Sequence, residues 1–158
     1  MKRFLALCLM LCSLCGLCSC GKSVDTAAYT TGLLEMVKEA NAFSEELETL
    51  DQETAFMVYR FADYGLEQES VLNCAAVRSS GATCEEGVVL VWEKAEQAEQ
   101  ALGALQNYVE GQIEANESYR PNEIPKLENV MLKQLNNSVV MIVAADMDAV
   151  SKVISSIG

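Results

Sequence analysis

The sequence predicts an α+β domain: an antiparallel sheet of about four strands, built as two strand-strand-helix units with helices on one side, preceded by an N-terminal helical segment. Three observations carry this reading. Two pairs of β-prone runs, Val71 to Ser79 with Glu86 to Trp92 and Val130 to Leu135 with Val139 to Ala145, are each followed by a stretch of helical periodicity. Turn-forming residues, Ser79-Ser80-Gly81-Ala82 and Asn136-Asn137, sit between the members of each pair. Ahead of both lies a segment whose apolar residues recur every three or four positions.

The elements follow in chain order. Lys2 and Arg3, the apolar run from Phe4 to Leu14 and the small or polar residues after it have the three parts of a secretory signal. The run is too short for a permanent span, which needs about 20 apolar residues. It ends in Leu17-Cys18-Ser19-Cys20, a lipobox in which Leu17 stands three residues before Cys20 and small Ser19 immediately before it. Cys18 and Cys15 are poorer lipidation sites, because bulky Leu17 and Leu14 precede them. Residues 1–19 therefore read as a lipoprotein signal peptide, residues 20–27 as the lipidated Cys20 and its tether, and residues 28–158 as a single domain. The acyl chains of a lipoprotein hold firmly where a single chain would not, so the expected location is the extracytoplasmic face of the cell membrane.

Leu33, Met36, Val37, Ala40, Phe43, Leu47 and Leu50 form one helical face or two consecutive helices, with a break favoured near Ser44 to Leu50. Asp51 is placed to cap a further helix through Phe56 and Tyr59, ending before Gly65. Val88-Val89-Leu90-Val91-Trp92 is apolar on both faces and belongs in the middle of the sheet. From Lys94 to about Ser118 a long helix buries Ala98, Leu102, Leu105, Val109 and Ile113, while Glu96, Glu99, Glu110, Glu114 and Glu117 point elsewhere. Pro121 and Pro125 end it and predict an extended connection. Asp146 caps a closing helix through Val150, Val153, Ile154 and Ile157.

Phe43-Ser44-Glu45-Glu46-Leu47 through Tyr59, Tyr64-Gly65-Leu66, Gly81-Ala82-Thr83 leading into Glu86-Gly87-Val88-Val89-Leu90-Val91, and Tyr119-Arg120-Pro121 followed by Leu127-Glu128-Asn129-Val130 resemble a family of bacterial lipoproteins known as domain-of-unknown-function family 4358. The resemblance spans most of the mature domain and implies a lipid-anchored extracytoplasmic domain of a Gram-positive bacterium, without an established activity. Its motifs look like core and turn positions more than a site. Cys74 and Cys84 depart from the pattern, so the resemblance carries no disulfide.

Composition narrows the chemistry. The chain has a formal charge of −12, and its leader carries only positive charges, so the mature part is more acidic still. Nucleic acid and anionic headgroups are poor partners for that surface. With no histidine, Ser-His-Asp and Cys-His mechanisms and His metal sites are excluded, and no phosphate-cradling glycine motif occurs. Cys74 and Cys84, the only thiols beyond the lipidation site, are candidates for one disulfide, although a two-residue turn at Gly81-Ala82 would put them on opposite faces. Two isolated thiols make no zinc site, and no metal or cofactor is expected. The carboxylate pairs Glu85-Glu86 and Glu45-Glu46, with Asp146-Met147-Asp148, are the nearest approach to an acid-pair hydrolase. Arg120 beside Tyr119 could clamp an anion, and Trp92 could stack on a sugar or peptide, against the plainer readings of a surface ion pair and a core ring. The sequence thus points to a non-catalytic interaction or accessory module docking on an envelope protein. The alternative is a small-ligand or cation receptor whose pocket is walled by the sheet face and the Tyr119 to Pro125 loop.

Overall fold

A computed structural model describes residues 29–157. The leader, the lipobox residues Leu17, Cys18 and Ser19, the lipidation site Cys20 and the tether lie outside the described residues. The elements are α1 (Leu33–Glu39), β1 (Glu48–Leu50), α2 (Gln52–Val58), β2 (Val71–Arg78), β3 (Glu86–Trp92), α3 (Ala95–Asn116), α4 (Ile124–Glu128), β4 (Met131–Leu135), β5 (Ser138–Val143) and α5 (Met147–Ser155), with short 3-10 turns before β2 and before α4. The strands form one antiparallel sheet in the order β1-β2-β3-β5-β4.

The fold is α+β with an antiparallel sheet, as the sequence predicts, but the helices lie on both faces. Strand alternation explains why. In β3, Val88, Leu90 and Trp92 enter a core shared with Phe56, Tyr59, Phe61 and Leu105 from α2, the following turn and α3. Val89, between them, enters a second core with Leu33, Leu34 and Val37 of α1. β5 divides in the same way, Val139 and Met141 to the first core, Val140 and Ile142 to the second, where Val150 of α5 closes it. Strands apolar on both sides need both sides covered. α1 approaches the sheet closely at Gly87: a Cβ there would stand 2.8 Å from Leu34 Cδ2.

The order strand, strand, helix does recur, as β2-β3-α3 and β4-β5-α5. The packing does not recur with it. A rotation exchanging the neighbouring antiparallel strands β3 and β5 keeps each face of the sheet on its own side, whereas α3 and α5 occupy opposite faces.

Two local expectations are corrected. The periodic run from Leu33 to Leu50 is neither one helical face nor two consecutive helices: α1 ends at Glu39, Asn41 takes a φ of 53°, and Glu48–Leu50, where the sequence favours a break, becomes an edge strand paired with β2. Asn tolerates that left-handed backbone, and the chain then reverses so that Leu33, Leu34 and Val37 serve one core while Leu50 packs on the other. Pro121 and Pro125 likewise do not fix an extended connection. Each stands in the first turn of a short helix, where the fixed φ of proline fits and its missing N–H costs nothing. Asp51 and Asp146 cap α2 and α5 as expected, accepting from Thr54 N at 2.7 Å and Ala149 N at 2.9 Å. Asn136, with a φ of 52°, makes the tight β4–β5 turn.

Candidate functional site

The chemistry-bearing side chains gather at one end of the sheet, around the β2–β3 loop. Register pairs Arg78 with Glu86 and leaves residues 79–85 as a loop that Ser79 N closes onto Glu85 O at 2.9 Å. Glu45, reaching in from the segment between α1 and β1, accepts both Ser79 Oγ and Thr83 Oγ1 at 2.6 Å, and these two hydroxyls hold its carboxyl below the usual range. Arg120 reaches the loop from the connection after α3. Its Nη1 donates to Gly81 O at 3.0 Å and Thr83 O at 2.9 Å, and its Nε to Asn116 Oδ1 at 2.8 Å.

Beneath the loop Glu85 is fully buried, which a carboxylate tolerates only when paired. It accepts from Ser44 N at 2.7 Å, Ser44 Oγ at 2.5 Å and Lys126 Nζ at 2.8 Å. Lys126 also meets Glu123 at 3.1 Å, and Glu123 accepts Cys84 N at 2.9 Å. Burial works to lower the Lys126 pKa, but hydrogen bonds to Glu85 and Glu123 outweigh it and raise it. Burial works to raise the Glu123 pKa, and the Cys84 N–H and Lys126 outweigh that and lower it. Three segments remote in sequence are thereby locked to the loop by satisfied polar contacts.

Glu86 belongs to the opposite face, since consecutive strand residues alternate. It is 3% exposed and accepts Tyr108 OH at 3.0 Å and Tyr59 OH at 3.3 Å, with Arg78 Nε at 4.0 Å. Burial pushes its carboxyl up to about 7, against the lowering effect of Arg78 and the two phenols. The phenols respond in kind: burial, then the nearby Glu86 charge, raise both Tyr59 and Tyr108. The two rings meet edge to face, centroids 4.9 Å apart. Glu85 and Glu86 therefore do not converge as an acid pair. Of the other pairs considered, Glu46 is exposed while Glu45 is engaged, and Asp146 caps α5.

Beside Tyr59 and Tyr108 runs a groove of about 560 Å³. One wall is the segment from Val58 to Tyr64, the other α3 from Ala104 to Gln112. Asn107 Nδ2 donates to Tyr64 OH at 2.8 Å across it, and Arg60, held at a φ of 55°, pairs with Asp63 at 2.6 Å on its rim. Sequence reasoning missed this groove. The available signal was Asn107, Tyr108 and Gly111, which interrupt the α3 pattern with residues that suit neither a core nor a charged face.

The other sequence candidates fall elsewhere. Trp92 is fully buried, edge to face with Phe61 at 5.6 Å, and stacks on no ligand surface. Tyr119 is 78% exposed, with the Arg120 guanidinium 5.6 Å from its ring. Arg120 is committed to main-chain carbonyls and Asn116 instead of pairing with a glutamate, and helices cover both faces of the sheet among the described residues. Cys74 and Cys84 are free thiols: Cys74 lies opposite Leu90 in the register, and Cys84 packs with Leu127 and Val143. Burial, with Asp51 nearby, pushes Cys74 up to about 11, and burial raises Cys84 as well. Among the described residues, no group of three or more Cys, Asp or Glu is placed to hold a metal ion, and no helix is long and apolar enough to cross a membrane.

The sequence profile of one family, described as Domain of unknown function (DUF4358), matches residues 62–144. The chain belongs to this family. The DUF4358 stretch holds β2 to β5 with α3 and α4, and with them Glu85, Glu86, Arg120, Glu123 and Lys126. Helices α1 and α5, which cover the second face of the sheet, lie outside the DUF4358 match, as do Ser44 and Glu45. No curated protein and no solved structure matches the chain.

Proposed function

We propose that this DUF4358 protein is a lipid-anchored extracytoplasmic lipoprotein that works as a non-catalytic interaction module of the cell envelope. One observation carries the interaction reading. Glu96, Glu99, Glu110, Glu114 and Glu117 are all exposed along α3 and form no ion pair among the described residues, while the acids of the loop cluster are engaged. They run about 30 Å along the helix. A row of unpaired like charges on a rigid element suits a partner presenting Lys and Arg, and such complementarity sets encounter rate and specificity. The lipobox ending at Cys20 supports the anchoring, and the commitment of the polar cluster to structure supports a role other than catalysis.

Cross-linking the tagged protein in its native membrane, beside Cys20→Ala and the triple variant Glu96→Lys, Glu99→Lys, Glu110→Lys, tests both parts. Expected is one stoichiometric partner, lost with the anchor and lost with the charge reversal while the melting curve is unchanged. Equal capture by the charge-reversed protein would remove the acidic face from the proposal, and a Cys20→Ala protein that still carries lipid would remove the anchor.

A further inference from the structure

We infer that the groove between the Val58–Tyr64 segment and α3 is a binding site for a neutral saccharide. Its volume of about 560 Å³ is that of a small-ligand site, and its lining combines aromatic rings with uncharged planar polar groups. A sugar ring needs both: its C–H faces pack on aromatic surface while its hydroxyls take and give hydrogen bonds in fixed directions.

The tyrosines are set before any ligand arrives. Tyr108 OH is taken by Glu86 and Tyr64 OH accepts from Asn107 Nδ2, so neither ring swings freely. Ordering already done in the free protein is not lost again on binding. The amide groups remain available. Asn107 keeps its Oδ1 as an acceptor, and the Gln112 side chain has no partner within the described residues. The one charged pair at the groove, Arg60 with Asp63, neutralises itself, which favours an uncharged ligand over an ionic one.

Gly111 strengthens the argument. In the interior of a long helix a glycine is unfavourable, and here no packing requires it, since a Cβ at Gly111 would meet nothing within 4 Å. The room it leaves opens into the groove that it lines. A larger side chain at this position therefore obstructs the site without straining the fold.

The inference is separate from the acidic outer face and is tested separately. The full chain, in a detergent without sugar headgroups, is titrated with maltose and with N,N′-diacetylchitobiose, following the side-chain amide resonances of Asn107 and Gln112. Expected are saturable shifts of both amides with at least one disaccharide, at least about tenfold weaker binding in Asn107→Ala, and none in Gly111→Leu, which should melt no lower than the parent. A charge-reversed Glu96→Lys protein should bind the sugar unchanged. Absence of shifts with both disaccharides, or undiminished binding in a folded Gly111→Leu protein, would overturn the inference. So would saturable shifts with a short neutral peptide, such as tetraalanine, at lower concentration than with either sugar.

Discussion

Replacing Glu86 by Gln should stabilise the protein at alkaline pH and remove most of its pH dependence between about pH 5.5 and 8. Burial raises the folded-state pKa of Glu86 to about 7, above the ordinary 4.5, so the folded protein holds this proton more tightly than the unfolded chain does. Below the ordinary value both states are protonated and the group costs nothing. As pH rises through the window the unfolded chain ionises first and stability falls, levelling off above the folded pKa. The full difference corresponds to about 3 kcal/mol, of which about 2 kcal/mol falls between about pH 5.5 and 8. The groups facing Glu86 do not blur the window: Tyr59, Tyr108 and Cys84 are all pushed above their ordinary values, and Arg78 stays charged. The chain has no histidine, and Glu45, Asp51 and Glu123, whose pKa values are lowered, lose their contributions only below the usual carboxylate range. Gln keeps an acceptor for the two phenols and carries no charge to desolvate. Urea unfolding across the window should show parent stability falling by about 2 kcal/mol while the Gln variant stays nearly level. A parent stability that is flat or rises with pH, or a Gln variant with the parent slope, would refute the reasoning.

Four further outcomes follow from packing and pairing. Gly103→Ala should raise stability by about 0.5–1 kcal/mol in thermal melts, because a Cβ there meets nothing within 4 Å and the helix loses a glycine. Gly87→Ala should lower it by about 1–3 kcal/mol, since the new methyl would stand 2.8 Å from Leu34 Cδ2 under α1. Lys126→Met should cost about 3–5 kcal/mol by leaving Glu85 buried without its cation, and adding Glu85→Gln should recover most of it. Arg120→Ala should speed amide hydrogen exchange in residues 79–85 far more than in β5, because it releases Gly81 O and Thr83 O.

Much of the architecture was legible because strand alternation and helical periodicity are local signals. Val88 to Trp92 read as a central strand, and its two apolar faces already required helices on both sides of the sheet, a consequence the one-sided arrangement did not draw. The run from Leu33 to Leu50 misled because its spacing fits a helix, while the bend at Asn41 depends on what α1 packs against. Cys74 and Cys84 stay apart for a tertiary reason: Cys84 lies on the 79–85 loop, whose path is set by Glu45, Arg120 and Glu123 from three distant segments. The groove was illegible because Asn107 and Tyr64, which join its walls, are 43 residues apart, so the break in the α3 pattern pointed to no partner.

Glu85 and Glu86 show how one dipeptide divides this molecule. Alternation sends Glu85 toward Ser44 and Lys126, from which it accepts hydrogen bonds that tie the loops together. The same geometry sends Glu86 toward Tyr59 and Tyr108, where Arg78 at 4.0 Å compensates it only in part. A purely structural acceptor for two phenols could be an amide at no electrostatic cost. The carboxylate there holds the rings lining the groove through bonds whose strength depends on its ionisation, since hydrogen bonds to an ionised acceptor are about twice as strong as neutral ones. The hold on the rings lining the groove should therefore change with pH through Glu86. The side-chain amides of Asn107 and Gln112 should titrate near the Glu86 pKa in the parent and lose that inflection in Glu86→Gln, as followed by NMR across the range.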